Sequence, residues 1–149
     1  MKNKSRAGRK PRSILRAFHR ILDANYNRAK EALRVCEDIS RFLMNRAPRA
    51  ADYKRLRHKL TRALLDFPAS YADLLAARDS SRDVGRHHLI QDAAKPKWQD
   101  LMTANQKRAQ EALRVLEEIS KALYPSAARG FAKLRFDLYE LEKKSIRGF

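Results

Sequence analysis

Apolar residues recur at a helical spacing in the first half of the chain. On a wheel of about 100° per residue, most side chains within about 40° of Asn25 are apolar. They include Ile21, Ala29, Ala32, Cys36, Ile39 and Leu43. The opposite side of the wheel carries Lys30, Arg34, Glu37 and Arg41. This pattern predicts an amphipathic helix whose apolar stripe packs against other helices while its charged side faces solvent.

The prolines agree with a helical fold. Pro48, Pro68, Pro96 and Pro125 each lie near a predicted helix start, where the missing proline N–H costs nothing. The sequence predicts helices over 14–45, 49–66, 97–123 and 126–146, a short helix over 69–77, and an irregular stretch over about 78–95. No segment alternates strictly between apolar and polar residues, as a half-buried strand does. The predicted fold class is therefore all-α.

The chain also repeats itself. Residues 24–40 and 104–120 are identical at 12 of 17 positions, at an offset of 80. A weaker echo at an offset of 78 matches Leu56-Arg57 and Leu60 with Leu134-Arg135 and Leu138. Each half therefore predicts a hairpin of two helices. Two hairpins related by pseudo-twofold symmetry form a four-helix bundle or an orthogonal helical array, in which each covers the apolar face of the other.

The chain is strongly basic, and its basic residues concentrate at the start. It has 34 Lys and Arg against 17 Asp and Glu, and residues 1–20 hold eight basic residues and no acidic one. This composition predicts a disordered basic tail over residues 1–12. It is followed by one helical domain over 13–149, whose repeats, about 20–67 and 100–146, are joined by the short helix and the loop 78–95. Such charge favours polyanions, whether nucleic acid, an anionic membrane surface or a phosphorylated substrate, and its sign does not choose among them.

Several classes of protein are excluded by what the sequence lacks. The single cysteine, Cys36, excludes an intramolecular disulfide and a cysteine-based metal cage. No apolar run approaches the roughly 18 residues of a membrane helix, and no apolar segment of signal-peptide type follows the basic start. A cytoplasmic protein without membrane partners is expected. There is also no glycine-rich phosphate loop, so arginines and helix N-termini would have to hold any nucleotide.

The polar residues shared by the two repeats are candidates for function. Asn25 and Asn105 lie within the apolar stripes, where they form either a buried hydrogen-bond network or part of a ligand site. Arg28, Glu31 and Arg34 recur as Arg108, Glu111 and Arg114, forming either surface ion pairs or a binding site.

Two further acidic features are each either part of a functional site or ordinary protein surface. Glu37-Asp38, repeated as Glu117-Glu118, offers carboxylates to magnesium, although such pairs are more often solvated helix surface. The loop from Arg78 to Gly85, which includes Asp79 and Asp83, is either a carrier of binding chemistry or an ordinary polar turn.

These motifs resemble the helical domain fused to the N-terminus of some thiamine-phosphate synthases. The resemblance rests on five segments in order: Arg20 to Asp38, Leu56-Arg57-His58, the Ala77-Arg78-Asp79-Ser80-x-x-Asp83-Val84-Gly85 loop, Ala104 to Arg114, and Leu134-Arg135. It spans about residues 20–142. Some members of this family are assigned as hydroxymethylpyrimidine-phosphate kinases. The resemblance thus implies phosphoryl transfer from ATP, as co-substrate, to the pyrimidine monophosphate.

The chemistry of the repeated residues suggests roles in such a reaction. Because the acceptor is already a phosphate, alignment and charge neutralisation matter more than a general base. The predicted phosphate clamps are Arg28, Arg34, Arg108 and Arg114, and the predicted substrate-binding residues are Asn25, Asn105, Arg57, Arg78 and Arg135. The predicted magnesium ligands are Asp79, Asp83, Glu31 and Glu111.

Two departures from the family leave other functions open. The sequence ends at Phe149, where the family usually continues into a synthase barrel, so we expect a stand-alone domain without synthase activity of its own. Such a domain is either the kinase or a non-catalytic adaptor that docks onto a separate thiamine-phosphate synthase. The basic tail suggests a third function, a nucleic-acid-binding helical module, with non-specific contacts to nucleic acid through the tail alone. The oligomeric state is not predicted.

Overall fold

The computed structural model describes residues 11–86 and 95–146, all of which lie in helices or the turns between them. Its helices are α1 (Pro11–Asp38), extended by a π-helical turn (Ile39–Leu43), α2 (Ala47–Leu65), α3 (Tyr71–Ala77), α4 (Trp98–Leu123) and α5 (Pro125–Ile146). The predicted all-α class is confirmed. Helix α1 begins at Pro11, so the last two residues of the predicted tail are helical. The remainder of that tail, and 87–94 of the predicted irregular stretch, lie outside the described residues.

Local chemistry accounts for the helix ends. Pro48 and Pro125 occupy first-turn positions of α2 and α5, where no backbone donor is needed. Ser70 caps α3, because its hydroxyl accepts a 3.2 Å hydrogen bond from the Asp73 N–H while the Asp73 carboxylate accepts one from the Ser70 N–H at 2.8 Å. Asn45 has a φ of 51°, a left-handed conformation that reverses the chain between α1 and α2.

The four long helices form a bundle of two hairpins. Helix α1 packs against α2 and α4, and α5 packs against α4 and α2, so that each hairpin covers the other. The short helix α3 packs on α1. Helices α1 and α4 run antiparallel, since the Cys36 sulfur near the end of α1 lies 3.9 Å from the Met102 carbonyl near the start of α4. Ala29 and Ala109 lie midway along this contact. They occupy equivalent positions in the two repeats, and both are fully buried.

Three positions of α1 and its π-helical turn differ in exposure from the prediction made with the helical wheel. Ile21 and Leu43 are 38% and 59% exposed, whereas Glu37, predicted to face solvent, is only 6% exposed. Leu43 leaves the stripe because the π-helical turn has more residues per turn than an α-helix and shifts the register. Glu37 is buried because α1 contacts α2 as well as α4, which makes its buried surface wider than one stripe. No helix within the described ranges combines the length and apolar character needed to cross a membrane.

Candidate functional site

A groove runs between α1 and α4 on the face of the bundle that the two repeats share. We call it the axial groove; its volume is about 650 Å³. Its lining consists of Asn25, Arg28, Glu31, Ala32 and Val35 from α1 and Asn105, Arg108, Glu111, Ala112 and Val115 from α4. Every residue from α1 is paired with its mate 80 positions later. The pseudo-twofold axis of the duplication therefore passes through this groove.

The four charged side chains of the axial groove are not used by the fold. Arg28, Glu31, Arg108 and Glu111 are all exposed, and within the described part of the chain none of them makes an ion pair or a side-chain hydrogen bond. The surface ion pairs that their spacing suggested are therefore absent from residues 11–86 and 95–146. Two cations and two carboxylates remain available for a ligand in one groove.

The two asparagines of the groove are held by their own helices. Asn25 and Asn105 are 6% and 7% exposed. The Asn25 side-chain nitrogen donates to the Ile21 carbonyl at 2.9 Å, and that of Asn105 donates to the Leu101 carbonyl at 2.8 Å. Each amide is thus fixed by a local bond rather than by a network between helices. With its nitrogen so engaged, each side chain has its carbonyl oxygen left to accept a hydrogen bond at the groove.

A second groove, of about 730 Å³, continues from the α1 half of the first. We call it the loop groove, because α1 and the loop 78–86 form its walls. It shares Asn25, Arg28 and Glu31 with the axial groove and adds, among others, Arg20, Asp23, Asn27, Arg78, Asp79, Ser80 and Asp83. Sequence reasoning missed Arg20, Asp23 and Asn27 as site residues, although Arg20 and Asp23 open the segment that carries the family resemblance.

The loop is anchored to α1 by a bidentate ion pair. The Arg78 guanidinium donates to the two carboxylate oxygens of Asp23 at 2.7 and 2.8 Å. The Asp23 side chain is 5% exposed, and its hydrogen bonds raise the pKa of Arg78. Arg20 adds a 3.3 Å hydrogen bond to the Asp79 carbonyl. These contacts hold the loop against the N-terminal half of α1.

Within the loop, the two predicted aspartates are ordered by local hydrogen bonds. Asp79 accepts from the Ser81 hydroxyl at 3.0 Å and from the Arg82 N–H at 3.3 Å. These bonds lower the pKa of Asp79, which is therefore ionised at neutral pH. Asp83 accepts from the Gly85 N–H at 2.9 Å. Both carboxylates border the loop groove.

The α4 half of the axial groove has no such loop beside it among the described residues. The α4 mates of Asp23 and Asn27 are Thr103 and Lys107, so the anchoring carboxylate is missing from the second repeat. Lys107 instead forms a 2.8 Å ion pair with Glu142 of α5. The site is thus symmetric at its centre and asymmetric at its ends.

Two predicted substrate-binding arginines lie in interhelical ion pairs instead. Arg57 of α2 donates to Glu37 of α1 at 3.0 Å, and its mate Arg135 of α5 donates to Glu117 of α4 at 2.9 Å. The side chains of all four are at most 16% exposed. The interpretation of Glu37 and Glu117 as solvated surface is therefore wrong. Each pair joins the two helices of one hairpin.

Arg34 and Arg114, predicted as phosphate clamps, do not line either groove around Arg28. Arg34 pairs with Asp38 at 3.3 Å and Arg114 pairs with Glu118 at 2.8 Å, each one turn further along its own helix. The structure therefore brings together Asn25, Arg28, Glu31 and their mates, with Arg78, Asp79 and Asp83 adjoining them.

The carboxylates of the axial groove suit a magnesium ion shared with substrate phosphates rather than a metal held by protein ligands alone. No group of three or more His, Cys, Asp or Glu side chains is arranged to hold a metal in the described ranges. Glu31 and Glu111 share one groove, however, and both carboxylates lack protein partners there. Magnesium is commonly held by one or two carboxylates together with substrate phosphates and water, so these oxygens fit it.

Comparison with known proteins finds relatives that are named thiamine-phosphate synthases. A thiamine-phosphate synthase of Nostoc punctiforme is 38% identical over 130 residues, which are 87% of this chain and 35% of the relative. One of a Synechocystis species is 41% identical over 127 residues, or 85% of this chain and 35% of the relative. The chain thus spans about a third of the length of these curated relatives.

The comparisons with solved structures and with family models give different results. No solved structure matches the chain significantly. The sequence model of the ThiD2 family matches residues 20–144, which include both grooves and both interhelical ion pairs. This chain belongs to the ThiD2 family.

Proposed function

We propose that this chain serves thiamine biosynthesis by transferring a phosphoryl group from ATP to hydroxymethylpyrimidine phosphate. The pathway is suggested by its relatives, which are named thiamine-phosphate synthases. The reaction is suggested by the family resemblance of its motifs. The observation that carries the proposal is the axial groove, where Arg28, Arg108, Glu31 and Glu111 meet without protein partners among the described residues.

The groove has the charges that this reaction needs. The acceptor phosphate has a second pKa near 6 and is mostly a dianion at neutral pH, so no general base is required. One of its oxygens forms a bond to the γ-phosphorus, the bond from that phosphorus to the β,γ-bridging oxygen breaks, and ADP leaves with the electron pair. Arg28 and Arg108 bind phosphate oxygens from the two walls, which aligns the reactants and offsets their repulsion.

The two glutamates complete this arrangement. Glu31 and Glu111 would hold magnesium, which neutralises phosphoryl oxygens when bound. Because each glutamate lies one turn from its arginine on the same helix, each wall of the groove presents a guanidinium and a carboxylate side by side. Arg34, Arg57, Arg114 and Arg135 would support the fold instead, through their pairs with carboxylates.

The test is a phosphoryl-transfer assay with ATP, magnesium and hydroxymethylpyrimidine phosphate, followed by separation of the products. We expect the pyrimidine diphosphate to form, and Arg28→Ala and Arg108→Ala each to lower kcat/KM by about 100-fold or more. Arg129→Ala is the matched control, because Arg129 is an exposed arginine of α5 that lines neither groove. If folded protein makes no diphosphate, the proposal is wrong, and binding to a separate synthase becomes the next measurement.

A further inference from the structure

The two ends of the site differ although its centre is symmetric, and this difference suggests that the two halves bind different ligands. We propose that the two grooves form one composite site, in which the α1 half with its loop binds the nucleotide and the α4 half binds the aminopyrimidine monophosphate. This inference rests on the proposed function. It replaces the picture that the duplication first suggests, in which two equivalent sites each bind both substrates.

The two substrates share the chemistry that the two repeats share. Adenine and the pyrimidine each carry an exocyclic amino group next to a ring nitrogen, and each substrate ends in a phosphate. Each repeat offers an asparagine carbonyl oxygen to accept an N–H and, one helical turn away, an arginine for a phosphate. Side chains three residues apart on a helix are about 5–6 Å apart at Cβ, which suits a small amino-substituted ring and its phosphate. One copy of the motif therefore offers the pyrimidine phosphate both of its contacts at once, whereas the nucleotide, whose amino group and phosphates are separated by the ribose, needs more surface than the motif alone.

The monophosphate is the compact ligand, and the α4 half is the compact half. Its ring amine and its phosphate are bridged by a single hydroxymethyl carbon and oxygen, so Asn105 and Arg108 reach both ends of the molecule. No loop extends this half among the described residues, and Lys107 is already paired with Glu142. The α4 half thus offers two-point recognition and little additional surface.

The nucleotide is longer and needs the additional surface that the α1 half has. The loop groove adds about 730 Å³ beside Asn25 and Arg28. Its carboxylates, Asp79 and Asp83, accept hydrogen bonds from ribose hydroxyls, and Arg20 adds a cation for the phosphate chain. The Asp23–Arg78 pair fixes this wall in place before any ligand binds.

With one ligand in each half, the phosphates meet at the pseudo-twofold axis. The γ-phosphoryl group from the α1 half and the acceptor phosphate from the α4 half then lie between Arg28 and Arg108. The bond that forms and the bond that breaks are those already described, and ADP remains in the α1 half. A symmetric centre is useful to this reaction because donor and acceptor are both phosphates.

The duplication supplies a matched pair of variants to test the assignment. Asn25→Ala and Asn105→Ala remove side chains of equal burial that make the same local hydrogen bond, so their structural costs are matched. Binding of Mg-ADP and of hydroxymethylpyrimidine phosphate is measured separately by calorimetry. We expect Asn105→Ala to raise the Kd of the pyrimidine phosphate about tenfold and to leave the Kd of ADP nearly unchanged. Asn25→Ala is expected to do the reverse, and wild-type protein to bind one molecule of each ligand.

A second pair avoids any effect on folding, since Arg28 and Arg108 are exposed and have no protein partner in the described residues. Arg28→Gln is expected to weaken ADP and Arg108→Gln to weaken the pyrimidine phosphate. Equal effects of each pair on both ligands, or two molecules of one ligand per chain, would overturn the composite site. Selective binding without any diphosphate would support the two half-sites and overturn the kinase proposal alone. If neither ligand binds wild-type protein, both proposals are wrong.

Discussion

Arg57 donates a 3.0 Å hydrogen bond to Glu37 and thereby joins α2 to α1 through a contact that is almost closed to solvent. The second repeat contains the same contact between Arg135 and Glu117, at 2.9 Å. A carboxylate in such a place is stable only because a cation lies against it, since an unpaired buried charge costs several kcal/mol. These pairs therefore belong to the fold of each hairpin.

Removing one partner of this pair is expected to destabilise the protein strongly. Arg57→Ala leaves the buried Glu37 carboxylate with only the longer contact to Arg34, at 3.7 Å. We expect the free energy of unfolding to fall by about 3–5 kcal/mol, measured by urea denaturation.

The matched comparison removes both charges at once. The double variant Glu37→Leu with Arg57→Met fills the same space with apolar groups, and we expect it to recover most of the lost stability. Arg55→Ala, an exposed arginine on the same helix, should change stability by less than about 1 kcal/mol. Equal stability of Arg57→Ala and Arg55→Ala would show that the interhelical pair contributes nothing.

A second prediction concerns a polar cluster in the core. The Gln106 side-chain nitrogen donates to the Tyr53 hydroxyl at 2.7 Å, and the Ser145 hydroxyl lies 3.2 Å from the same oxygen. Tyr53→Phe removes the acceptor for the Gln106 amide, which is only 2% exposed. We expect a loss of about 1–3 kcal/mol in the free energy of unfolding, because a buried donor is left without a partner.

The pair of positions related to these two by the pseudo-twofold symmetry contains no amide. Phe131 is the mate of Tyr53 at the offset of 78, and Tyr26 is the mate of Gln106 at the offset of 80. We therefore expect Tyr53→Phe combined with Gln106→Leu to be more stable than Tyr53→Phe alone. If the double variant is the less stable of the two in urea, the unsatisfied amide is not the cause of the loss.

The helices and the duplication could be predicted from the sequence because both are local patterns. Periodicity needs only neighbouring residues, and the repeat needs only a comparison of the chain with itself. Helical periodicity also explains why Arg34 and Arg28 point in different directions, because six residues correspond to about 120° on a helix. Arg28 and Glu31, about 60° apart, share the axial groove, whereas Arg34 lies outside it.

The remaining features depend on residues far apart in the chain. A wheel drawn for α1 alone puts Glu37 in solvent, because it does not contain Arg57 from the next helix. Likewise, the Asp23–Arg78 pair joins positions 55 residues apart, and no periodicity relates them. The loop groove, which makes the site asymmetric, depends on such long-range contacts and could not be derived from local spacing.

A third prediction follows from the single cysteine. Burial raises the pKa of Cys36 from its ordinary value of 9.0 to about 12. Because the folded state holds the thiol proton more tightly, this group stabilises the fold fully below pH 9. The contribution is lost as the pH rises from 9 towards 12, at about 1.4 kcal/mol for each pH unit.

The measurement is urea denaturation at pH 8 and at pH 10. Wild-type protein should lose about 1 kcal/mol more than Cys36→Ala between these two values. Tyr53, whose pKa is raised to about 12 by burial first and by the nearby Cys36 second, remains in both proteins, so its titration in the unfolded chain cancels in the comparison. Parallel loss of stability in the two proteins would contradict the raised pKa of the thiol.

The fourth prediction concerns the anchor of the loop. Arg78→Ala removes both hydrogen bonds to Asp23, at 2.7 and 2.8 Å, and leaves the Arg20 contact to the Asp79 carbonyl as the remaining tie between this part of the loop and α1. We expect the amides of Arg82 and Gly85 to exchange with deuterium at least about tenfold faster, because local opening requires less free energy when the anchor is gone. Hydrogen exchange read out by mass spectrometry measures this directly.

The control for the loop is Arg82→Ala. The Arg82 side chain is 86% exposed and contacts Asp79 only at 3.6 Å, so its removal deletes a loop arginine without touching the anchor. We expect exchange near wild-type rates in this variant, and unchanged exchange along α4 in both. The Mg-ADP affinity should fall with Arg78→Ala and not with Arg82→Ala, because a loop groove whose wall opens must be ordered again when the nucleotide binds. Equal exchange rates in the two variants would mean that the Asp23–Arg78 pair does not hold the loop, and the nucleotide half of the site would then lose its preformed wall.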